Sequence, residues 1–299
     1  MAVAIDFGFY APSGAVLDVA ALDRAAATLC ARGHHVVEDS GSRARFQRFA
    51  GDDASRIAAI QRIASLPEVD VAVAVRGGYG YSRLLEQLNF AAIAASGKRW
   101  MGHSDFTAFQ LAAFATTGLV TYAGPMAAYD FGATQPSEFT LANCFGMLSS
   151  HEYAVDVVLD GPRAQACEGT LWGGNLAMLV HLVGTPFFPT IEGGILFIED
   201  TSEHPYRIER MLHQLHLAGV LARQRAILVG EFVDYSLHPH DNGYDLRSVI
   251  DHFRAKLDVP IYTGLPFGHV RDKLTLPFGG RATLLPSGDR ATLVLRDTP

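Results

Sequence analysis

The chain has 299 residues, of which 49% are hydrophobic and 18% are charged, and its formal net charge is -7. This length is enough to bury one large core or two ordinary ones, and we expect a two-domain globular protein. The acidic balance and the lack of a Lys/Arg cluster exclude nucleic acid as the main partner, because phosphate binding requires a basic surface. The widely spaced Cys30, Cys144 and Cys167 favour reduced thiols in a cytoplasmic protein over a disulfide framework.

The sequence predicts neither a signal peptide nor a membrane span. Residues 1–10 contain Asp6, and no Lys or Arg occurs before Arg24, so the basic region of a signal peptide is missing. The longest weakly polar stretch, residues 112–129, is interrupted by threonines, glycines and Pro125, which is atypical of a membrane-spanning helix. We therefore expect residues 1–10 to form a first strand, and the protein to be cytoplasmic with no membrane partner.

Strand and helix patterns alternate through the first half of the chain. Short apolar runs predict strands at residues 35–38, at 71–75 and just before 102. Apolar residues at helical spacing predict helices from Leu22 to near Gly33, at 57–63, around Leu84 and Leu85, and at 106–114. Cys30 lies on an apolar helix face and is predicted to be in the core. The alternation predicts a parallel sheet with helices on both faces, which binds ligands at the carboxyl ends of its strands.

The alternation weakens between residues 136 and 161, where short polar runs and a Gly-Pro pair indicate an interdomain connection. We therefore predict an N-terminal α/β domain at residues 1–150 and a C-terminal domain at residues 165–299. In the second half, the apolar pattern predicts strands at 195–198, 226–232 and 261–263 and helices at 208–215 and 246–257. About the last forty residues have the pattern of strands and turns.

Ser104 lies in the segment GHSDF at residues 102–106, between a predicted buried strand and a predicted helix. At such a junction the hydroxyl is held away from the packed layers, and the first amides of the helix are free to bind a developing oxyanion. Ser104 is therefore a candidate nucleophile. The alternative is that Ser104 caps the helix, because Phe106 stands where the esterase elbow G-x-S-x-G has a glycine.

A serine nucleophile requires a base, and the base requires a carboxylate that sets its tautomer and stabilises its charged form. Glu199 closes the predicted strand at 195–198, where a carboxylate is costly unless it is paired. His269 follows the predicted strand at 261–263 in the segment LPFGH. The chain has 12 histidines and 31 acidic residues, so an alternative stays open in which Glu199 forms a cap or salt bridge and His269 is a loop residue.

Two other patterns bear on cofactors. His213 and His216 lie three residues apart on a predicted helix, and Glu209 lies one turn before His213, a spacing that can ligate a metal. Di-metal helical bundles need a second copy of such a motif, and the sequence has none. The glycines at residues 77–80 match neither the P-loop nor the dinucleotide-binding pattern. We therefore predict no metal and no cofactor.

Six short segments are distributed over nearly the whole chain. They are APSG at 11–14, RGGYG at 76–80, GHSDFT at 102–107, GTLWGGNL at 169–176, ED at 199–200 with HP at 204–205, and GLPFGH at 264–269. Each is weak alone, but in this order and spacing they resemble the LD-carboxypeptidase family of serine peptidases. The resemblance implies an α/β protein with an N-terminal flavodoxin-like parallel-sheet domain, a β-rich α/β C-terminal domain and the site between them. It also suggests a homodimer.

Carried over to this chain, the resemblance implies that Ser104 is the nucleophile, that His269 is the general base and acid, and that Glu199 orients His269. The backbone amides of Gly78 and Asp105 are the candidate oxyanion donors, since glycine lets the backbone approach closely. The implied reaction is hydrolysis of the L,D bond that releases the terminal D-alanine of murein tetrapeptides in peptidoglycan recycling. The expected substrates are free, disaccharide-linked or UDP-linked tetrapeptides.

Three further residues are candidates for substrate binding. An exopeptidase needs a cation for the terminal carboxylate of its substrate, and Arg76 is the candidate because it adjoins the oxyanion glycines. Its alternative role is a structural salt bridge at a strand end. Trp172 and Asn175 are candidates for lining the pocket, and the alternatives are that Trp172 is a core residue and Asn175 a turn residue.

Two other functions stay open at this point. One is a self-immunity peptidase of the same family that cleaves a peptide–nucleotide antibiotic of the microcin C type. An aromatic residue in an inserted loop would favour it, and the sequence has no obvious extra loop. The other is a catalytically silent binder of wall fragments, against which the complete set of Ser104, Glu199 and His269 argues. The third residue of the expected peptide is diaminopimelate or lysine.

Overall fold

The computed structural model describes residues 4–162, 165–287 and 290–298. In the first half, strands and helices alternate in the order β1 (Asp6–Tyr10), α1 (Ala20–Cys30), β2 (His35–Glu38), α2 (Asp53–Ser65), β3 (Val71–Ala74), α3 (Phe90–Ala95), β4 (Arg99–Gly102), α4 (Phe106–Thr117), β5 (Thr121–Ala123) and α5 (Glu138–Ser149). The second half continues with β6 (Glu152–Val158), β7 (Cys167–Asn175), α6 (Leu176–Leu182), β8 (Ile195–Thr201), α7 (Pro205–Leu217), β9 (Ala226–Val233), α8 (Leu246–Lys256), β10 (Ile261–Thr263), β11 (Leu276–Phe278), β12 (Arg281–Ser287) and β13 (Arg290–Arg296).

The first sheet contains six strands of the described chain, in the order β11-β5-β4-β3-β1-β2. Strands β1 to β5 are parallel and follow the order 2-1-3-4-5 of flavodoxin-like folds, and β11 pairs antiparallel with β5. In such sheets, ligands bind at the carboxyl ends of the strands near the point where the strand order reverses, here between β1 and β3. The loops that follow β1, β3 and β4 therefore meet at one edge.

The second sheet orders the described strands β10-β9-β8-β7-β12-β13-β6. Strands β7 to β10 are parallel, whereas β12 pairs antiparallel with β7 and β13, and β13 pairs antiparallel with β6. The predicted α/β fold with a parallel sheet in the first half and a β-rich second half is confirmed. No helix in the described ranges is both long enough and apolar enough to cross a bilayer.

Helix α4 packs against elements of both halves of the chain. It is apolar around its whole circumference, and such a helix must be buried on all sides; every residue from 106 to 113 is buried. Phe109 packs on Trp100 of β4, with ring centroids 5.6 Å apart. On another side of α4, the hydroxyl of Thr107 accepts a hydrogen bond of 3.0 Å from the amide of Asn175, at the end of β7. Because β7 neighbours β8, α4 fixes the Ser104 turn relative to the strand that carries Glu199.

The helix predicted around residues 84–85 is wrong. The chain forms two 3₁₀ turns there, Tyr81–Arg83 and Leu85–Gln87. Tyr81 is fully buried, and its hydroxyl lies 3.0 Å from the hydroxyl of Tyr10. This anchor folds the segment into tight turns, so the two leucines reach the core without a helix.

Two other expectations need correction. Residues 136–161 contain α5 and β6, and β6 has a polar pattern because it is an edge strand with most of its side chains exposed or half-exposed. Cys30 is exposed rather than buried, because Leu22, Ala25 and Leu29 form the buried face of α1. The domain boundaries at residues 150 and 165 stay a prediction.

Candidate active site

Ser104 lies in the turn between β4 and α4. Its φ angle is 64°, in the left-handed region that non-glycine residues seldom adopt, and such strained backbone is common at functional sites. The turn is tight, because a Cβ atom on Gly102 would lie 2.9 Å from Cγ of Phe106. The N-cap residue of α4 is Asp105, and no side chain caps this helix, so the alternative that Ser104 serves as a cap is not supported.

Asp105 connects the Ser104 turn to the neighbouring loops. It is 1% exposed, and its Oδ2 accepts hydrogen bonds from the hydroxyl of Ser13 at 2.6 Å and from the amide of Tyr81 at 3.0 Å. Ser13 follows β1, and Tyr81 ends the loop that follows β3. Burial raises the pKa of Asp105, and the hydrogen bonds from Ser13 and Tyr81 oppose that rise. The carboxylate therefore holds the loops after β1, β3 and β4 together.

Gly77 lies against the Ser104 turn, and Gly78 follows it against Gly14. The carbonyl of Gly77 accepts a hydrogen bond of 3.0 Å from the amide of Gly14, and Gly78 has a φ of +104°, which favours glycine. The amides of Gly78 and Asp105 donate no hydrogen bond to any residue that the structure describes. Both amides are therefore available to a ligand.

His269 and Glu199 are in direct contact. Nδ1 of His269 lies 2.7 Å from Oε2 of Glu199, whose side chain is fully buried. Strand β8 continues to Thr201, so the prediction that Glu199 closes the strand is wrong; the pairing register shifts between Ile198 and Asp200. A register shift of this kind changes the direction in which side chains point and is common next to active sites. It explains why the side chain of Glu199 departs from the alternation of β8. Its other oxygen, Oε1, has no hydrogen-bond partner within the described part of the chain.

The carboxylate of Glu199 favours the protonated form of His269. Burial by itself lowers the pKa of His269, but the hydrogen bond and the negative charge of Glu199 outweigh it, and the pKa lies above its ordinary value. With Nδ1 engaged by Glu199, Nε2 is the nitrogen left for proton transfer. In the described structure no hydrogen bond joins Ser104 to His269; nucleophile and base often lie further apart before substrate binds.

His103 forms a wall beside His269. It is 3% exposed, its Nδ1 donates to the carbonyl of Gly124 at 2.9 Å, and its ring meets that of His269 edge-on at 5.3 Å between centroids. Burial, with the charge of Lys273 as a second cause, lowers the pKa of His103 well below its ordinary value. The ring is therefore neutral, and it limits the movement of His269 without competing for a proton.

A buried ion pair lies beyond His103. Nζ of Lys273 lies 2.5 Å from Oδ1 of Asp130, and the two side chains are 3% and 7% exposed. The other oxygen of Asp130 accepts a hydrogen bond from the amide of Met126 at 2.7 Å. This pair connects the loop after β5 to the loop that carries His269.

A cavity of about 560 Å³ brings these groups together. Ser104 and His269 both line it, as do Gly78 and Arg76. Other residues of its wall are Gly77, His103, Met126, Tyr129, Asp130, Arg271 and Lys273. The predicted nucleophile, base, oxyanion glycine and cation therefore share one cavity.

Arg76 is half-buried in this wall. Its guanidinium donates a hydrogen bond to the carbonyl of Ala15 and lies 5.8 Å from the ring centroid of Tyr129. These contacts use one face and one nitrogen of the group, so further N–H donors remain for an anion. The alternative role as a structural salt bridge is not supported, because Arg76 pairs with no described acidic residue.

Neither Trp172 nor Asn175 lines this cavity. Trp172 is 1% exposed, and its indole N–H donates to Gln224 at 2.9 Å. Asn175 caps α6 and donates to the carboxylate of Asp200 at 2.8 Å. Burial and the neighbouring Glu199 charge raise the pKa of Asp200 to about 6. The contacts of Trp172 and Asn175 therefore favour their alternative roles, as a core residue and a turn residue.

Several cavity residues are missed by sequence reasoning. His103 gives no separate signal in the sequence, because it adjoins Ser104 within the nucleophile motif. Arg271 and Lys273 follow His269 without a recognisable pattern. Lys273 could have been proposed as a site residue from its distance of four residues from His269. Asp130 carries no local signal, because its partner is 143 residues away.

Two family models match the chain. The LD-carboxypeptidase N-terminal domain matches residues 7–124, which include Ser104, and the LD-carboxypeptidase C-terminal domain matches residues 168–284, which include Glu199 and His269. The murein tetrapeptide carboxypeptidase of Pseudomonas aeruginosa is 32% identical over 252 residues, which are 81% of this chain and 80% of that protein. The chain belongs to the LD-carboxypeptidase family. It is thus a serine-type peptidase, as the resemblance implies.

Solved structures give the same fold. Muramoyltetrapeptide carboxypeptidase from Oxalobacter formigenes is 44% identical with a TM-score of 0.92, and the match covers 98% of this chain and 99% of that one. The microcin C7 self-immunity protein has a TM-score of 0.89 at 23% identity, over 99% of this chain and 97% of that one. At this lower identity the likeness shows the fold alone.

Proposed function

We propose that Ser104, His269 and Glu199 are the catalytic triad of this carboxypeptidase, and that it releases the terminal D-alanine of murein tetrapeptides. The observation that carries the proposal is the 2.7 Å contact between His269 and the buried Glu199, beside a cavity that Ser104 also lines. The names of the Pseudomonas and Oxalobacter relatives support the substrate class. The bond cleaved is the L,D bond before the terminal D-alanine.

In this mechanism, Oγ of Ser104 attacks the carbonyl carbon of the L,D bond while Nε2 of His269 takes its proton. Glu199 holds His269 in the tautomer with Nδ1 protonated and stabilises the imidazolium that forms. His269 then gives the proton to the departing D-alanine amine, which leaves an acyl group on Ser104. A water molecule, deprotonated by the same nitrogen, attacks the acyl group and restores the serine.

The amides of Gly78 and Asp105 are proposed to hold the oxyanion. Neither amide has an acceptor among the described residues, and each belongs to a loop that the Asp105 carboxylate fixes. Donors held in place before the reaction stabilise the developing charge without reorganisation, and losing one typically costs about 100- to 1000-fold in kcat. The glycines at 77 and 78 allow the backbone to approach the nucleophile this closely.

Arg76 is proposed to bind the terminal carboxylate of the substrate, with Arg271 as a second cation in the wall. Both line the cavity, and Lys273 is already paired with Asp130. An arginine can hold a carboxylate through two parallel hydrogen bonds, which gives position as well as affinity. We expect Arg76→Gln to raise KM more than Arg271→Gln, because Arg76 directly precedes the oxyanion glycines.

The proposal also includes the setting of the reaction. A peptidase that removes D-alanine from tetrapeptides serves peptidoglycan recycling, and we propose a cytoplasmic homodimer that accepts free, disaccharide-linked or UDP-linked tetrapeptides. Size-exclusion chromatography with light scattering measures the oligomeric state. Comparison of the three forms of tetrapeptide measures the accepted substrate size.

The decisive substrate experiment compares four compounds with purified protein: a free tetrapeptide, a UDP-linked tetrapeptide, the corresponding pentapeptide and a peptide–nucleotide conjugate. Released D-alanine and shortened peptide are measured by mass spectrometry, with Ser104→Ala as the control. We expect the tetrapeptides to lose D-alanine and the D,D bond of the pentapeptide to stay intact, because an inverted centre misplaces the carbonyl. Faster cleavage of the pentapeptide, or cleavage of the nucleotide conjugate alone, would refute the substrate assignment.

A further inference from the structure

A second group of chemically reactive side chains lies outside the active site, between α7 and α8. Glu209 and His213 lie one turn apart on α7, and His252 lies on α8. One potential ligand atom of each residue lies within 4.8 Å of those of the other two. His216, which the sequence pairs with His213, is not in this group. The third side chain comes from the neighbouring helix instead.

The carboxylate of Glu209 is held in a fixed orientation. Its Oε2 accepts a hydrogen bond from the hydroxyl of Tyr244, and its Oε1 lies 3.6 Å from Nε2 of His213. A hydrogen bond of this kind is what orients carboxylate ligands at metal sites, and its loss typically lowers metal affinity about 10- to 100-fold. Tyr244 therefore leaves one oxygen of Glu209 directed toward the histidines.

Packing also holds the imidazole of His213. Its ring centroid lies 4.9 Å from that of the buried Phe253 and 5.4 Å from that of His252. At zinc–ligand bonds of about 2.1 Å, tetrahedral ligand atoms lie roughly 3.4 Å apart. His252 is exposed, so rotation of its side chain is sufficient to close the remaining difference.

We propose that Glu209, His213 and His252 bind one zinc ion that bridges α7 and α8, with water as a fourth ligand. Two imidazoles and a carboxylate are donors that zinc accepts in tetrahedral geometry. None of the three residues lines the cavity of Ser104 and His269, so the ion stabilises the packing of the two helices and takes no part in hydrolysis. The proposal departs from the sequence-based prediction of no metal.

The test is zinc binding by the full-length protein after chelator treatment and desalting, measured by calorimetry and by melting temperature. We expect one zinc ion per chain and a melting temperature that rises with zinc and falls again with EDTA. His213→Gln and His252→Gln should each weaken binding at least about 100-fold, and Tyr244→Phe about 10- to 100-fold. Carboxypeptidase activity of each variant shows that it folds.

Two variants are matched controls. His216→Gln removes the other histidine of α7, and His240→Gln removes one of the exposed histidines near His204 and His238. Both should bind zinc as the unaltered protein does. Absence of saturable binding below about 100 µM zinc would overturn the proposal and leave a simple ion pair between Glu209 and His213. Binding that survives His252→Gln and is lost in His240→Gln would overturn it in favour of a site at His240 and His238.

Discussion

A Cβ atom on Gly77 would lie 2.9 Å from Oγ of Ser104 and 2.8 Å from its Cβ. The backbone after β3 therefore passes directly against the proposed nucleophile, and no side chain fits between them. This contact brings the amide of the next residue, Gly78, toward the place where a substrate carbonyl would meet Ser104.

We expect Gly77→Ala to lower kcat/KM by at least about 100-fold, because the added methyl group displaces Ser104 and a shift of about 1 Å costs on that order. Gly97→Ala is the control. Gly97 has a positive φ, which disfavours alanine, but a methyl group there would meet no atom within 4 Å. The control should lose some stability and keep its kcat/KM. Near-normal turnover by a folded Gly77→Ala enzyme would show that this contact does not position the nucleophile.

The second prediction concerns the pH dependence of kcat/KM. His269 acts as a base only when it is neutral, and its pKa is raised, so activity should fall on acidification with a midpoint above the ordinary range of a histidine. Glu199→Gln removes the charge that raises the pKa, while burial still lowers it, so the acidic limb should move to lower pH. A pH profile measured on both enzymes tests this, and an unchanged or upward-moving limb contradicts the role of Glu199.

Hydrolysis should not depend on metal or on thiols. The proposed nucleophile is a hydroxyl, and burial raises the pKa of Cys144 to about 12, which keeps that thiol protonated. Activity should therefore persist with EDTA and with reducing agents, even where EDTA lowers the melting temperature by removing zinc from α7 and α8. Loss of turnover with chelator in folded protein, restored by zinc, would assign the reaction to a metal.

Breaking the buried pair of Asp130 and Lys273 should destabilise the protein strongly. We expect Lys273→Met to lower the free energy of unfolding by about 3 to 5 kcal/mol, because it leaves an uncompensated buried carboxylate. Adding Asp130→Asn should recover much of this loss, since the amide oxygen can still accept from the amide of Met126. Arg32→Met is the control, because Arg32 pairs with Glu138 at the surface, where such pairs contribute about 1 kcal/mol or less. Urea unfolding of the unaltered protein, Lys273→Met, the double variant and Arg32→Met measures these free energies. Equal losses in Lys273→Met and Arg32→Met would refute the expected difference between a buried and a surface pair.

The first sheet was predictable because apolar periodicity records which face of each element is buried. The strand before Ser104 and the helix after it follow from that local pattern, as does the position of Ser104 at a strand end. Glu199 and His269 are predicted by the family resemblance as well as by their chemistry. They are 70 residues apart, and no local pattern encodes their contact.

Several of the parts that sequence reasoning missed depend on contacts between distant segments. Asp130 and Lys273 are charged residue types that usually lie at the surface. They are buried here only because each neutralises the charge of the other. His252 joins Glu209 and His213 only through the packing of α8 on α7. Trp172 lies in a segment that resembles the family, yet its indole N–H donates a hydrogen bond to Gln224 within the core.

The most direct test of the proposed triad is kcat of Glu199→Gln on a tetrapeptide, measured on the same sample as its melting temperature. If Glu199 orients His269 and stabilises its charged form, kcat should fall by roughly 1000-fold or more in a folded enzyme. Ser104→Ala and His269→Ala should be at least as damaging, and combining them with Glu199→Gln should add little, since the three act as a unit. A folded Glu199→Gln enzyme within about tenfold of the unaltered protein, with only a lowered melting temperature, would remove Glu199 from the triad.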